Sequence, residues 1–272
     1  MNIILQRLGL RAPRRFVLLC HQRSGSNMIM SSVRQHPAIA YYGQLYKDDP
    51  AHRRRVDALA GIPYTGQAFD DTIAQRQHFE RLSRTPAARD PARNAAAFTK
   101  AFFHQAGRRG RQAYTGIKLH GGTLYPDEIG QLFLDGKTKV IIQHRENLLA
   151  AAISWYQARE LGQWRRDGGE AVQTTALHMD LDRLRWFIDN TRRDVALWKQ
   201  LCAEAGVSPL ELTYEKIVAD IPAATRAYWA FLGLSPLAEA APKTKKLIKS
   251  YAHIQNIDAI RRELGGAENG EV

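Results

Sequence analysis

Residues 16–36, FVLLCHQRSGSNMIMSSVRQH, constrain the fold of this chain more than any other stretch. The apolar run Phe16–Cys20 has the length and composition of a short buried strand. It ends in the polar loop His21-Gln22-Arg23-Ser24-Gly25-Ser26-Asn27, and a helix follows with Met28, Ile29 and Val33 on its apolar side. A strand, a small-residue turn and a helix in this order leave backbone N–H groups pointing outward at a helix N-terminus, where the helix dipole also favours negative charge. Gly25 lets the backbone approach a ligand closely. Ser24, Ser26 and Asn27 add side-chain donors, and Arg23 adds a forked cation. The loop therefore reads as a phosphate-type anion site. The plain alternative is an ordinary capped helix, since Ser and Asn are good cap residues. The loop of a nucleoside triphosphatase does not match, because its Gly-Lys-Ser/Thr ending at fixed spacing from a first Gly does not occur here.

The segments that follow alternate between strand and helix signals. His36-Pro37 ends the first helix. Ala38–Tyr42 reads as a short strand with Gly43-Gln44-Leu45-Tyr46 at its carboxyl end, where ligands bind in open parallel sheets. Residues 47–110 are polar and rich in Ala and Arg, with helical patterns around 50–60, 67–84 and 92–106. This is a helical insertion, either a substrate lid or a decoration without function. Tyr114–Leu119 reads as the next strand and runs into His120-Gly121-Gly122. A helix is expected from Pro126 to Leu134, with Asp127 and Glu128 capping its first turn, then the turn Asp135-Gly136 and a strand Lys139–Gln143. His144-Arg145-Glu146-Asn147 leads into a helix carrying Leu148, Leu149, Ala152, Ile153 and Tyr156. Residues 159–170 read as a loop, 171–205 as a long helix, Pro209–Thr213 as a short strand, and Ile221–Leu232 as a helix closed by Gly233. A last short helix is expected near 256–264. Residues 1–15 form a basic arm, too short and too interrupted by arginine for a signal peptide, and 265–272 a tail expected to lack order. Strands alternating with helices predict a parallel α/β sheet.

A second anion contact is written less strongly. Arg145 follows a buried strand, and Ser154 lies nine residues later on the next helix, from which it can point back toward the strand ends. A surface arginine and a serine bonded to its own helix backbone would give the same pattern.

Taken in order, these segments resemble the sulfotransferase family. Arg23, Ser24, Gly25, Ser26 and Asn27 match the loop that holds the 5′-phosphosulfate of 3′-phosphoadenosine 5′-phosphosulfate (PAPS). Arg145 and Ser154, within VIIQHRENLLAAAISWY, match the arginine and serine that hold its 3′-phosphate. Leu212-Thr213-Tyr214-Glu215, followed by a helix ending Phe231-Leu232-Gly233-Leu234, resembles the family's Tyr-Glu-Asp segment and implies a place for Tyr214 beside the adenine. The family's aspartate is Lys216 here. The basic run Lys243, Lys245, Lys246 and Lys249 resembles the C-terminal loop that folds over the 3′-phosphate. Arg-Ser-Gly-Ser and Gly43-Gln44-Leu45 resemble the bacterial branch acting on sugars and glycolipids.

The resemblance implies transfer of a sulfuryl group from PAPS to a hydroxyl or amine of a carbohydrate or glycolipid, with no metal. Such a displacement runs in line, and positioning and charge stabilisation carry the catalysis. Arg23 and the loop N–H groups would neutralise charge growing on the leaving phosphate. The glutamate base of the bacterial branch is Gln44 here, and an amide takes no proton near neutral pH. Gln44 would then orient the acceptor while His120, which titrates in the useful range, serves as base; Lys118 would contact the acceptor or the leaving group. The expected catalytic set is Arg23, His120 and Gln44. The expected donor-binding set is Arg23, Ser24, Gly25, Ser26, Asn27, Arg145, Ser154 and Tyr214. A PAPS-binding protein that has lost efficient chemistry is the alternative raised by Gln44. Trp155, Tyr156 and Trp164, with Arg159, Arg165 and Arg166, form either an aromatic and basic rim for a sugar or core packing.

Composition bounds the remaining choices. At 272 residues with 44% hydrophobic content, one large core is expected, a single domain over 1–272 with the insertion and tail as appendages. The expected fold class is α/β: a P-loop-like three-layer fold with a central parallel sheet of about five strands, helices on both faces and the helical insertion. The net charge of +12 favours anionic partners. A charge-driven binder of nucleic acid or membrane surface fits that number, but no nucleic-acid module is present. No apolar run is long enough to span a membrane, although peripheral contact with an anionic surface is compatible. Two cysteines, Cys20 and Cys202, make no disulfide framework and point to a reducing, cytoplasmic setting.

Overall fold

The computed structural model describes residues 14–46, 49–65, 94–109, 112–162, 175–237, 251–266, 269–270 and 272. Five strands form a parallel sheet in the order β2-β3-β1-β4-β5: β1 Arg14–Cys20, β2 Ile39–Gln44, β3 Tyr114–His120, β4 Thr138–His144 and β5 Leu210–Thr213. Helices surround the sheet, as the alternation predicts. By contact, the chain divides into two compact units. One takes β1 up to Leu19, His36–Ile142 and Leu197–Leu210; the other takes Cys20–Gln35, Gln143–Ala196 and the chain from Glu211 on.

The first unit is built on the apolar strand β1, whose Phe16, Val17 and Leu18 are fully buried. Gly116 in β3 leaves the space that the Phe16 ring occupies; a Cβ there would sit 1.9 Å from Phe16 Cζ. Phe16 also stacks on Tyr41 of β2, with ring centroids 6.3 Å apart. Strand β2 pairs in register with β3 through Tyr41↔Gly116, then slips, so that Gln44 rather than Gly43 faces Lys118. Gly43 takes φ 74°, the left-handed conformation that lets the extra residue bulge out. Strand β2 therefore runs on to Gln44, past the expected end at Tyr42.

The insertion contributes helices α2 (Pro50–Ala60) and α3 (Ala95–Arg109). Asp49 caps α2 by accepting from the N–H groups of Ala51 and His52, Pro50 opens it, and Gly61 in the left-handed region closes it. Tyr46, Tyr64 and Phe98 cluster there, with centroids 4.8 to 6.1 Å apart. The helical pattern at 67–84 lies outside the described residues. Helix α4 (Pro126–Phe133) starts where Glu128 accepts from the Tyr125 N–H at 2.8 Å, which accounts for that carboxylate as a cap. Asp135 makes the following turn by accepting from Lys137 and Thr138 N–H, and it pairs with Arg15.

In the second unit, α1 (Ser26–Val33) is buried along almost its whole length. Helix α5 (Leu148–Glu160) is capped by Asn147 and buries Leu148 to Tyr156 without interruption. Trp155 is 1% exposed and stacks on Phe187 at 5.0 Å, so Trp155 and Tyr156 are core residues and form no sugar rim. Trp164, Arg165 and Arg166 lie outside the described residues. The long helix α6 (Leu181–Glu204) starts inside the helical pattern of 171–205, because Asp180 caps it by accepting from the N–H groups of Asp182 and Arg183; residues 171–174 lie outside the described residues. Ahead of it Leu177 bridges Ile254. Helix α7 (Tyr214–Ala219), a short helix capped by Thr213, follows β5 where the sequence pattern assigns no element. Asp220 then caps α8 (Ile221–Phe231), and Trp229 of α8 donates to the Val33 carbonyl of α1.

Helix α9 spans Ile257–Leu264, and described residues after it make hydrogen bonds. The Asn269 carbonyl accepts from Leu149 N–H at 2.8 Å, and Arg261 donates to the Val272 carbonyl at 2.9 Å.

Replacing Gly116 with alanine drives a methyl group into the Phe16 ring. The variant should lose about 1–3 kcal/mol of stability, the usual cost of overfilling a packed core. Urea unfolding would measure it; an unchanged midpoint would mean that the ring moves aside at no cost.

Candidate anion-binding site

The loop after β1 is folded back on itself by two buried hydrogen bonds. The Ser24 hydroxyl donates to the His21 carbonyl at 2.7 Å, and the Gln143 amide of β4 donates to the Ser24 carbonyl at 2.7 Å. Arg23 sits at φ 61°, the only described residue other than glycine with positive φ, and Gly25 follows at φ 79°. Two left-handed residues within three positions persist only where neighbours over-determine them. Helix α1 begins at Ser26, two residues before its expected start. Its N-cap is Gly25, with no side chain capping the helix. The serine hydroxyl that could have capped it turns back to His21 instead, which removes the ordinary-cap explanation of this loop.

Arg23 Nε donates to Ser154 Oγ at 2.8 Å. The loop cation and the serine of α5, proposed from sequence for two different phosphates, therefore meet. Arg145, one residue past β4, lays its guanidinium 4.5 Å from the centroid of the Tyr214 ring, and its Nε lies 3.6 Å from Glu215 Oε1. Tyr214 in turn lies against Gly25: a Cβ on that glycine would be 2.7 Å from Tyr214 Cδ2. Ser24, Gly25, Ser26 and Asn27 follow from the loop geometry, so all eight donor-binding candidates fall within the second unit.

The electrostatics suit an anion. Burial and the charge of Arg145 both lower the Arg23 pKa, with Tyr214 opposing them. Two guanidiniums close enough to disfavour each other are stabilised by any anion that enters their field. Tyr251, which ends the basic segment, feels the same field. Burial raises its pKa most, Tyr214 adds to the rise, and Arg145 and Arg261 oppose it.

Sequence reasoning missed two supports. Gln143 is a fully buried amide directly after the apolar run Val140–Ile142. Glu215 accepts from Glu146 and Asn147 N–H at 3.0 and 3.3 Å and so fixes the backbone around Arg145. Lys216, standing where the resemblance has aspartate, is exposed on α7. The run Lys243 to Lys249 lies outside the described residues.

The remaining candidates are in the first unit. Gln44 ends β2 opposite Lys118, and His120 ends β3. The strand pleat puts Lys118 and His120 on one face of β3, and both are buried. Neither strand carries an acidic residue.

A profile of the sulfotransferase family matches residues 15–239. Among solved structures, a sulfotransferase from Mycobacterium avium aligns at 13% identity over 94% of this chain and 76% of its own, with a TM-score of 0.52. A sulfotransferase from Alicyclobacillus acidocaldarius aligns at 18% identity over 92% and 90%, with a TM-score of 0.46. A search of curated protein sequences finds no match.

Replacing Ser154 with alanine takes an acceptor from a buried guanidinium. Stability should fall by about 1–3 kcal/mol, the range for removing one partner of a buried charged hydrogen bond. Denaturant unfolding would read the loss, and a variant as stable as the parent would show that Ser154 does not hold Arg23.

Proposed function

The chain belongs to the sulfotransferase family, and on that premise we propose that it moves a sulfuryl group from PAPS to a hydroxyl or amine acceptor. The observation that carries the reading is the meeting of Arg23 and Ser154 beside Arg145, which gathers the residues suited to two phosphates in one place. A bisphosphate donor fits these residues: a strained, glycine-capped loop supplies outward N–H groups, and two guanidiniums supply charge.

In this reading Arg23, Ser24, Gly25, Ser26 and Asn27 take the 5′-phosphosulfate, Arg145 and Ser154 the 3′-phosphate, and Tyr214 flanks the adenine. Charge grows on the oxygen bridging sulfur and phosphorus as its bond to sulfur breaks. Arg23 and the loop N–H groups stabilise that charge without reorganising. The acceptor oxygen or nitrogen forms the new bond to sulfur and gives its proton to His120, and the bisphosphate leaves. Gln44 donates or accepts one hydrogen bond to orient the acceptor and takes no proton.

We propose a carbohydrate or glycolipid acceptor, supported by the likeness of Arg23–Ser26 and Gly43–Leu45 to the bacterial branch and by the sequence's basic surface. Burial of Trp155 and Tyr156 removes one earlier support for a sugar rim. A cytoplasmic setting suits two buried cysteines outside any disulfide. No helix among the described residues is long and apolar enough to cross a membrane. The absence of an acid from β2 and β3 favours a second reading, a donor-binding protein without turnover, and the same experiment separates the two.

Calorimetric titration with adenosine 3′,5′-bisphosphate should show tight binding, far stronger than ATP, and Arg145→Ala should abolish it. His120→Ala should leave that affinity within about twofold while sulfuryl transfer from PAPS falls roughly 10²–10⁴-fold, as for loss of a general base. Binding by the parent with no transfer to any sugar or glycolipid tried would favour the second reading. No bisphosphate binding would remove both.

A further inference from the structure

His21 is the first residue past β1, and it is 2% exposed. An imidazole so placed needs a partner, because an unsatisfied polar group in the interior is costly. Its Nε2 lies 2.9 Å from Oδ2 of Asp194 on α6. The carboxylate oxygen is a polar neighbour at contact distance, without the alignment of a hydrogen bond. The ring also stands edge-on to Phe187, with centroids 6.3 Å apart. Phe187 and Asp194 are two turns apart and share a face of α6. One helix thus grips the imidazole twice, by a ring contact and by a charge.

The backbone of the same residue is the hinge of the anion loop. The His21 carbonyl accepts the Ser24 hydroxyl, and the strained Arg23 lies between them. We propose that His21 and Asp194 form a positioning pair: anchored to α6, they hold the root of the loop in the conformation that presents Arg23 and the α1 N-terminus to an anion. Neither touches the donor. The inference rests on the nucleotide reading for its ligand and assigns roles that the family resemblance does not.

A misplacement of about an ångström at a binding group can cost as much as a hundredfold. Asp194→Ala should therefore weaken adenosine 3′,5′-bisphosphate binding roughly tenfold or more by calorimetry. Asp194→Asn keeps a polar oxygen beside Nε2 and should stay within about threefold of the parent. In an Arg23→Ala background the Asp194→Ala change should cost less than about twofold more, because residues that act through one another are not additive. Thermal unfolding of each variant checks folding. If Asp194→Ala does not fold, His21→Phe, which keeps the ring contact and removes Nε2, should show the same loss. Affinity equal to the parent in Asp194→Ala or His21→Phe, or a loss that multiplies fully with that of Arg23→Ala, would overturn the proposal. Failure of the parent to bind the bisphosphate overturns the nucleotide reading instead; the same series with inorganic pyrophosphate then decides the positioning role on the same criteria.

Discussion

The second unit depends on holding a buried guanidinium in place. Arg23 is taken out of water beside another arginine, and burial and repulsion act against its charge together. Such a cation must be tied down by geometry. Its Nε bonds to Ser154, its φ lies in a region that a non-glycine residue enters only under constraint, and the residues on either side of it are fixed by Ser24, Gln143 and Gly25. The energetic cost of the arrangement suits it to the binding proposed for it. A loop already strained and already charged gives up little further entropy when an anion arrives, and the anion removes the repulsion that its formation created.

The same economy of contacts explains why Arg145 is held differently. Its guanidinium rests on the Tyr214 ring, and Glu215, the next residue, reaches back to the backbone around Arg145. Two adjacent residues of α7 thus serve the arginine in two ways, one through a ring face and one through a carboxylate. Gly25 has no side chain because Tyr214 stands where it would be. Loop, strand end and α7 therefore constrain one another, and no single one of them can be altered without moving a second.

Legibility in the sequence followed the range of the interaction. Strands β1, β3 and β4 were readable within one or two residues because short segments carrying apolar and β-branched residues between polar turns are local signals. The two-residue extension of β2 was not, since it depends on a bulge at Gly43 that only pairing with β3 reveals. Helix α7 was missed because so short a helix has little periodicity to detect, and the start of α6 is set by the Asp180 cap, which the helical pattern over 175–180 runs through. In the site, Arg23 to Asn27, Arg145, Ser154 and Tyr214 carried motif spacing. His21, Gln143 and Asp194 carried none, because their partners are far away in the chain; Glu215 stood in the motif, but its bonds to the backbone around Arg145 appear only in the fold.

The net charge of the chain, its most conspicuous bulk property, is a poor guide to where binding occurs. Along α6 and α9, exposed arginines pair with aspartates one turn away: Arg185 with Asp182, Arg192 with Asp189, Arg261 with Asp258. Such exposed pairs contribute little to stability and are screened by salt. Arg23 is different in kind, being buried, oriented by a hydrogen bond and held near a second cation. Screening by salt acts weakly on a group so enclosed. The proposed recognition of a bisphosphate would on this basis discriminate by the geometry of the phosphates rather than by total charge, unlike a surface that attracts any polyanion.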